Sequence, residues 1–172
     1  MNALAASAVA QAAGADLPAI KRGLESLSPV AGRFNVHSLP GAITVIDDTY
    51  NANPESLQAA LDVLTLSDEN SWLVLGDMGE LGATAAELHA AAGRKARAAG
   101  VTRLYGLGEL AQQAVAAFDG PGGAFSTKEE LLEALLADLS GPLHILVKGS
   151  RSMGMEQVVA ALGVDAGNGG SH

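Results

Sequence analysis

The chain has 172 residues, nearly half of them apolar, and a formal net charge of −9. This length and apolar content predict one well-buried domain with room for a short appendage, and they exclude a disordered chain. The acidic charge without a basic stripe argues against a nucleic-acid partner, and the absence of cysteine excludes disulfides and thiolate metal sites.

The amino-terminal segment is expected to form two short helices ahead of the main fold. An Ala-rich stretch begins at Asn2 and stops at Gly14, and a second helical stretch runs from Leu17 to Ser26 before Pro29. We therefore divide the chain into a helical appendage at 1–29, a main domain at 30–164 and a disordered, glycine-rich tail at 165–172.

Within the main domain, strand and helix patterns alternate. Apolar β-branched runs predict strands, and apolar residues at spacings of three and four predict helices. Strands are expected at 32–39, 43–46, 72–75, 102–105 and 143–147, and helices at 54–64, 85–99, 109–118, 127–136 and 155–162. This alternation implies an α/β fold with a parallel sheet covered by helices on both faces.

Helix starts are marked by capping residues. Asn53 followed by Pro54 suits the first turn of a helix. Two capping boxes are expected, Thr84 with Glu87 and Ser126 with Glu129.

Three polar loops, at 47–54, 76–82 and 148–154, each follow a strong strand. In a parallel sheet the carboxyl ends of the strands share one rim, where ligands bind. Carboxylates suit an ammonium group, and Lys, Arg and backbone N–H groups suit a carboxylate, so the rim is predicted to bind a small zwitterion. The candidate residues are Asp47, Asp48, Asn51, Asn53, Asp77, Glu80, Lys148, Ser150 and Arg151.

Each loop also has a purely structural interpretation. Asn53 is equally well explained as a helix cap, and Asp77 and Glu80 as solvated turn carboxylates. The loop from Lys148 to Arg151 favours function, because two cations and a glycine after a buried strand suit an anion site.

The histidines are expected to be structural rather than metal ligands. His89 lies inside a predicted helix and is interpreted as a hydrogen-bonded core residue, and His37 and His144 as packing residues in strands. The four histidines lack a metal-ligand spacing, so no metal site is predicted.

A second hypothesis rests on Gly106 and Gly108, which fit a G-x-G-x-x-A dinucleotide fingerprint after a strand. The match is weak, because the strand comes late and a helix begins where the acidic residue should follow. A free-standing NAD-binding module therefore remains the alternative. The phosphate-cradling G-x-x-x-x-G-K-[ST] loop is absent from the chain.

The three loops resemble those of the Mur ligase family. The matching stretches are DDTYNANP at 47–54, LGDMGELG at 75–82 followed by His89, and VKGSRSMGME at 147–156. Gly32 and Arg33 match the pair that opens the family's C-terminal domain, and NALAA from Asn2 resembles the end of its central ATPase domain.

The resemblance implies the C-terminal part of a three-domain, ATP-dependent ligase with a Rossmann-like three-layer sandwich and a mainly parallel six-stranded sheet. Because the chain lacks Asp-Asn-Pro-Arg, it is most similar to the branch that joins D-alanyl-D-alanine to UDP-MurNAc-tripeptide through an acyl phosphate. Another Mur-type amide ligase domain is the nearest alternative. Bond-making groups, and most contacts to ATP and Mg²⁺, would lie in the central domain, so the chain alone is expected to be inactive.

The resemblance also implies residue roles. Asn2 would contact adenine, Arg33 the phosphates and Asp48 the ribose, whereas Asn51 and the loop 148–151 would place the dipeptide or the acceptor peptide. We expect a cytoplasmic monomer without membrane insertion, because no apolar run approaches the roughly 20 residues of a membrane span and the first residues lack a basic leader.

Overall fold

The computed structural model describes residues 2–26, 30–66 and 70–164, apart from the side chain of Asn2. The proposed adenine contact of Asn2 and the predicted tail at 165–172 therefore lie outside the described part. The chain divides into two compact units, residues 1–30 and 31–172. The assignment of residues 1–29 to a remnant of an ATPase domain stays a prediction.

The first unit contains helices α1 (Asn2–Ala12) and α2 (Leu17–Glu25). Asp16 caps α2, because its Oδ1 accepts a hydrogen bond from the Ala19 N–H at 2.8 Å. Pro18 lies in the first turn of α2. Backbone N–H groups in the first turn have no acceptor within the helix, so proline, which lacks this group, is tolerated there.

The second unit is built on a six-stranded sheet in the order β1-β2-β6-β3-β4-β5. β1 is antiparallel to β2, and every other neighbouring pair is parallel. The strands are β1 (Asn35–Leu39), β2 (Ile43–Asp48), β3 (Asn70–Gly76), β4 (Arg103–Leu107), β5 (Gly122–Phe125) and β6 (Leu143–Lys148).

Helices cover both faces of this sheet. Those packed on one face are α3 (Pro54–Leu64), α4 (Ala85–Ala99) and α5 (Ala111–Phe118), and those on the other are α6 (Lys128–Asp138) and α7 (Glu156–Ala161). Within β3, Leu73 and Leu75 pack on the first face, and Trp72 and Val74 on the second, as the alternation of a strand requires. The predicted three-layer α/β fold is confirmed.

The edge strand β5 was not predicted from the sequence pattern. It has only four residues, two of them glycine, and Gly122 adopts φ +123°. A Cβ atom there would lie 1.8 Å from the carbonyl oxygen of Leu104, so the close approach of β4 requires glycine. Glycine therefore permits the pairing of β5 with β4, although glycine disfavours a strand prediction.

Both predicted capping boxes are wrong in detail. Thr84 does not cap α4; its hydroxyl donates to the carbonyl of Leu81 within a short 3₁₀ turn (Gly82–Thr84). The second box lies one residue later, with Thr127 and Glu130 in place of Ser126 and Glu129. A single-residue shift separates two candidate caps that propensity ranks almost equally.

No helix in residues 2–26, 30–66 or 70–164 combines the length and the apolar character of a membrane span.

Candidate functional site

The three predicted loops meet because β6 lies between β2 and β3. Asp48 at the end of β2 and Leu75 near the end of β3 both pair in register with Lys148, the last residue of β6. The carboxyl ends of three adjacent parallel strands therefore finish at one level, and the loops that follow them form one rim.

The loop after β2 is fixed at its start by its own side chains. Asp47 Oδ1 accepts hydrogen bonds from the Thr49 hydroxyl at 2.6 Å and from the Thr49 N–H at 3.2 Å. Gly32 packs against the same loop, and its carbonyl accepts from the Tyr50 N–H at 2.8 Å. Because a Cβ atom on Gly32 would come within 2.9 Å of the Tyr50 nitrogen, this contact requires glycine. The contact brings Arg33 beside Tyr50.

Arg33 and Arg151 both approach the ring of Tyr50. Their guanidinium carbons lie 4.1 Å and 5.9 Å from its centroid, within the range of cation–π attraction. Tyr50 is 43% exposed, so the ring forms a surface on which two cations from distant parts of the sequence are held together.

Lys148 is buried rather than directed at solvent. Its side chain is 2% exposed, and Nζ donates to Asp48 Oδ2 at 2.5 Å and to the Asn51 carbonyl at 3.0 Å. Asp48 keeps 17% of its side chain exposed. Lys148 therefore joins the loop after β6 to the loop after β2, and the ammonium group faces protein partners.

The loop after β3 is held by three neighbouring elements. Asp77 Oδ1 accepts from the Ala111 N–H at 2.7 Å, at the first residue of α5, and the Asp77 carbonyl accepts from the Ser150 N–H at 3.0 Å. His89 on α4 accepts from the Met78 N–H at 2.8 Å. The next residues turn sharply, because Glu80 adopts φ +62°, a conformation that a non-glycine residue rarely takes.

These loops enclose an open cleft of about 590 Å³, a size typical of small-molecule sites. Glu80 brings a carboxylate and Arg151 a guanidinium, and Asn51 and Ser150 bring neutral polar groups. The cleft can therefore offer partners to both charges of a zwitterion. Its lining residues are Tyr50, Asn51, Ala52, Asn53, Gly79, Glu80, Leu81, Ser150, Arg151 and Ser152.

Several of the predicted site residues, Asp47 among them, bond within the protein itself. Asn53 Oδ1 accepts from the Ser56 N–H at 2.8 Å and caps α3, as its structural interpretation anticipated. Asp77 caps α5, and Lys148 is paired with Asp48. Asn53 also lines the cleft, whereas Asp47, Asp48, Asp77 and Lys148 do not.

Tyr50 was missed as a candidate. The available signal was compositional: in a chain with 3% aromatic residues, a tyrosine between Asp and Asn residues at the end of a buried strand is unusual. Leu81 and Ser152 also line the cleft, and nothing in their residue type marks them.

A second polar cluster packs against the sheet apart from the cleft. Tyr105 donates to Asp138 at 2.6 Å, Arg103 pairs with the same carboxylate, and the Arg103 guanidinium lies over the Trp72 ring. Burial raises the pKa of the Tyr105 phenol well above its ordinary value, and the hydrogen bond to Asp138 raises it further.

His89 is a buried, hydrogen-bonded residue, as predicted. His37 and His144 are partly buried in β1 and β6. Across the described residues, the His, Asp and Glu side chains form no group of three that could hold a metal ion.

The dinucleotide hypothesis meets a physical obstacle at Gly108. A pyrophosphate in such a fold lies at the amino end of the helix after the glycines. Here the Asp77 carboxylate already accepts from the first N–H of α5, and a Cβ atom on Gly108 would lie 2.6 Å from it. The glycine makes room for a carboxylate of the protein, and a dianion there would be repelled.

Comparisons with known proteins agree on one family. The family described as "Mur ligase, glutamate ligase domain" matches residues 32–151. UDP-N-acetylmuramoyl-tripeptide–D-alanyl-D-alanine ligase of Escherichia coli K12 is 43% identical over 164 residues, covering 94% of this chain and 36% of the relative. The chain thus spans about a third of the length of this relative.

Solved structures give the same result. A crystal structure of MurF from Acinetobacter baumannii superposes with a TM-score of 0.82 at 35% identity, covering 94% of this chain and 36% of that one. MurF from Thermotoga maritima in complex with ADP gives a TM-score of 0.74 at 26% identity, covering 90% of this chain and 35% of that one.

Proposed function

The chain belongs to the Mur ligase family, and we propose that it is the C-terminal domain of the ATP-dependent ligase that joins D-alanyl-D-alanine to UDP-MurNAc-tripeptide. The similarity to ligases of this specificity supports the proposal, and so does the cleft where the three family-like loops meet. The cleft is the observation that carries the proposal, because it gathers opposite charges in a space suited to a small zwitterion.

D-alanyl-D-alanine carries an ammonium group at one end and a carboxylate at the other. Glu80 is placed to accept hydrogen bonds from the ammonium group, and Arg151 to bind the carboxylate through its planar guanidinium. Asn51 and Ser150 provide neutral hydrogen-bonding groups between them. We assign these four residues to the dipeptide or to the end of the acceptor peptide that it meets.

The nucleotide side of the proposal rests on Arg33 and Asp48. Arg33 is an exposed residue whose guanidinium lies over the Tyr50 ring, which suits a phosphate contact. Asp48 keeps part of its side chain exposed beside Lys148, which suits a contact to a ribose hydroxyl. These residues fit ATP, and a relative has been crystallised with ADP. Mg²⁺ and the triphosphate would be bound mainly by the central domain.

In the proposed reaction ATP transfers its γ-phosphate to the tripeptide carboxylate and leaves as ADP. The dipeptide amine then attacks the acyl phosphate, and the amide bond forms with loss of a proton and release of inorganic phosphate. This chain would contribute proximity and orientation of the amine rather than bond-making groups. Closure of the domain would also exclude water, which competes for the same acyl group. Because the chain contains no G-x-x-x-x-G-K-[ST] loop, we propose that it is inactive by itself. We also propose that the protein is a monomer and that it acts in the cytoplasm, where ATP and the UDP-linked precursor are available.

The test is made in the full-length ligase. Glu80→Gln and Arg151→Gln should each raise the KM for D-alanyl-D-alanine by about tenfold or more, which corresponds to about 1.4 kcal/mol of lost binding, with little change in the KM for ATP. Glu133→Gln, at an exposed position on α6, is the matched control and should leave both constants unchanged. Wild-type KM values for the dipeptide in both cleft variants would overturn the assignment.

A further inference from the structure

We propose that His89 is a positioning residue for the dipeptide cleft, holding the cleft-lining loop through the backbone of Met78 without touching a ligand. This inference rests on the proposed function, because the loop in question carries Glu80. It is based on the buried imidazole of His89, which hydrogen-bonds to α4 through one nitrogen and to the loop after β3 through the other.

The His89 ring is fully buried and its orientation is set on both sides. Nδ1 lies 2.7 Å from the Ala85 carbonyl oxygen, one turn earlier in α4, and Nε2 lies 2.8 Å from the Met78 nitrogen. A carbonyl can only accept and a backbone N–H can only donate. The proton therefore sits on Nδ1, and Nε2 is left as the acceptor that holds the loop after β3.

Met78 begins the part of the loop that needs this support. Its own side chain is buried in the core, and the following residues Gly79, Glu80 and Leu81 line the cleft. Glu80 adopts φ +62° and Gly82 φ +61°. A non-glycine residue keeps such a conformation only where its surroundings fix the backbone on either side. The bond from Met78 to α4 supplies that constraint directly before the strained turn.

Asp77 supplies a second constraint one residue earlier. Its carboxylate accepts from the Ala111 N–H, and its carbonyl accepts from the Ser150 N–H. Together with His89, these bonds fix the start of the loop against α4, α5 and the loop after β6. His89 is the anchor best suited to a test, because its bond to Met78 can be removed without disturbing Ser150, which itself lines the cleft.

Two substitutions in the full-length ligase separate positioning from packing. His89→Gln places an amide oxygen at about the depth of Nε2 and retains an acceptor for Met78. His89→Leu fills the space without an acceptor. Phe118→Leu, in the core on α5, is a control for general destabilisation.

We expect His89→Leu to raise the KM for D-alanyl-D-alanine about tenfold, the effect of leaving one buried N–H unsatisfied, while the KM for ATP stays within about twofold. His89→Gln should remain within about threefold of wild type for the dipeptide, and Phe118→Leu should lower the Tm without this selective change. A wild-type KM in His89→Leu, or equal defects in His89→Leu and His89→Gln, would overturn the inference.

A measurement without substitution covers the case in which a variant does not fold. Nitrogen-15 NMR of histidine-labelled wild-type protein should show His89 protonated on Nδ1 only, with Nε2 as a hydrogen-bonded acceptor. Protonation on Nε2 would refute the hydrogen bond from Met78 to His89, whatever the kinetic results. If instead the rate of the wild-type ligase shows no saturable dependence on the dipeptide concentration, the proposed function fails. The tautomer of His89 still tests its hydrogen bond to Met78 in that case.

Discussion

Substitution of Lys148 by Met is expected to destabilise the fold far more than the loss of a surface charge would. Methionine keeps most of the apolar stem and removes the ammonium group. Two acceptors then lose their donor: the Asp48 carboxylate at 2.5 Å and the Asn51 carbonyl at 3.0 Å. The Asp48 side chain is only 17% exposed, so water can solvate the remaining charge only in part.

The magnitude follows from this burial. Removing one partner of a buried ion pair costs about 3–5 kcal/mol, and the partial exposure of Asp48 places Lys148→Met near the lower end, at about 3 kcal/mol. Measured by urea unfolding with a slope of about 2 kcal/mol per molar, this lowers the midpoint by about 1.5 M.

The matched control is Arg94→Met, which breaks the ion pair of Arg94 with Glu87 on α4. These side chains are 55% and 74% exposed, so the expected loss is below about 1 kcal/mol. Adding Asp48→Asn to Lys148→Met should recover part of the loss, because the uncompensated charge is removed. Equal midpoint shifts in Lys148→Met and Arg94→Met would show that the ammonium group is not a buried link between the two loops.

Three further predictions concern stability. Gly108→Ala should cost about 2 kcal/mol or more in unfolding free energy, because its Cβ would meet a carboxylate at 2.6 Å, whereas Gly82→Ala, also at positive φ but in open space, should cost about 1 kcal/mol; equal losses would contradict the clash. Asn53→Ala should cost about 1 kcal/mol by loss of the α3 cap, and Asn53→Ser should recover most of it in the same assay. Folding raises the pKa of Tyr105, so ionisation of this phenol opposes folding. Its contribution to stability is complete below the ordinary tyrosine pKa of about 10 and is lost as the pH rises above that value. In unfolding measurements at alkaline pH, Tyr105→Phe should therefore show a shallower loss of stability than the Tyr50→Phe control, and identical slopes would refute the assignment.

The sequence predicted the fold wherever one strong signal governed a segment. The apolar stretches of β2, β3 and β6 and the apolar spacing of α3 could be recognised without tertiary information. The short strand β5 did, because Gly122 belongs to a strand only through its close contact with Leu104. The cap predicted at Ser126 lies at Thr127, a neighbouring polar residue of nearly equal capping propensity. Thr84 does not cap α4 because its hydroxyl donates to the carbonyl of Leu81.

The candidate site was predicted by topology more reliably than by residue type. The strand ends of a parallel sheet share a rim, and this rule alone predicts that the three loops lie together. The rule does not require the strand order in which β6 lies between β2 and β3. Residue type could not tell which charged side chains line the cleft and which bond within the protein. Asp77 and Lys148 are charged residues at or just after a strand end, like Glu80 and Arg151, but the first two bond within the protein. That difference depends on contacts between residues as far as 100 positions apart.

The most direct test of the central claim is hydrogen exchange of the full-length ligase, with and without D-alanyl-D-alanine, in the presence of ATP–Mg²⁺ and an unreactive acceptor analogue. L-alanyl-L-alanine serves as the matched control ligand. The dipeptide should slow exchange in the segments 50–53, 79–82 and 150–153, and the control should not. Dipeptide binding that is confirmed by calorimetry but leaves these three segments unprotected would contradict the proposal that this cleft is the dipeptide site.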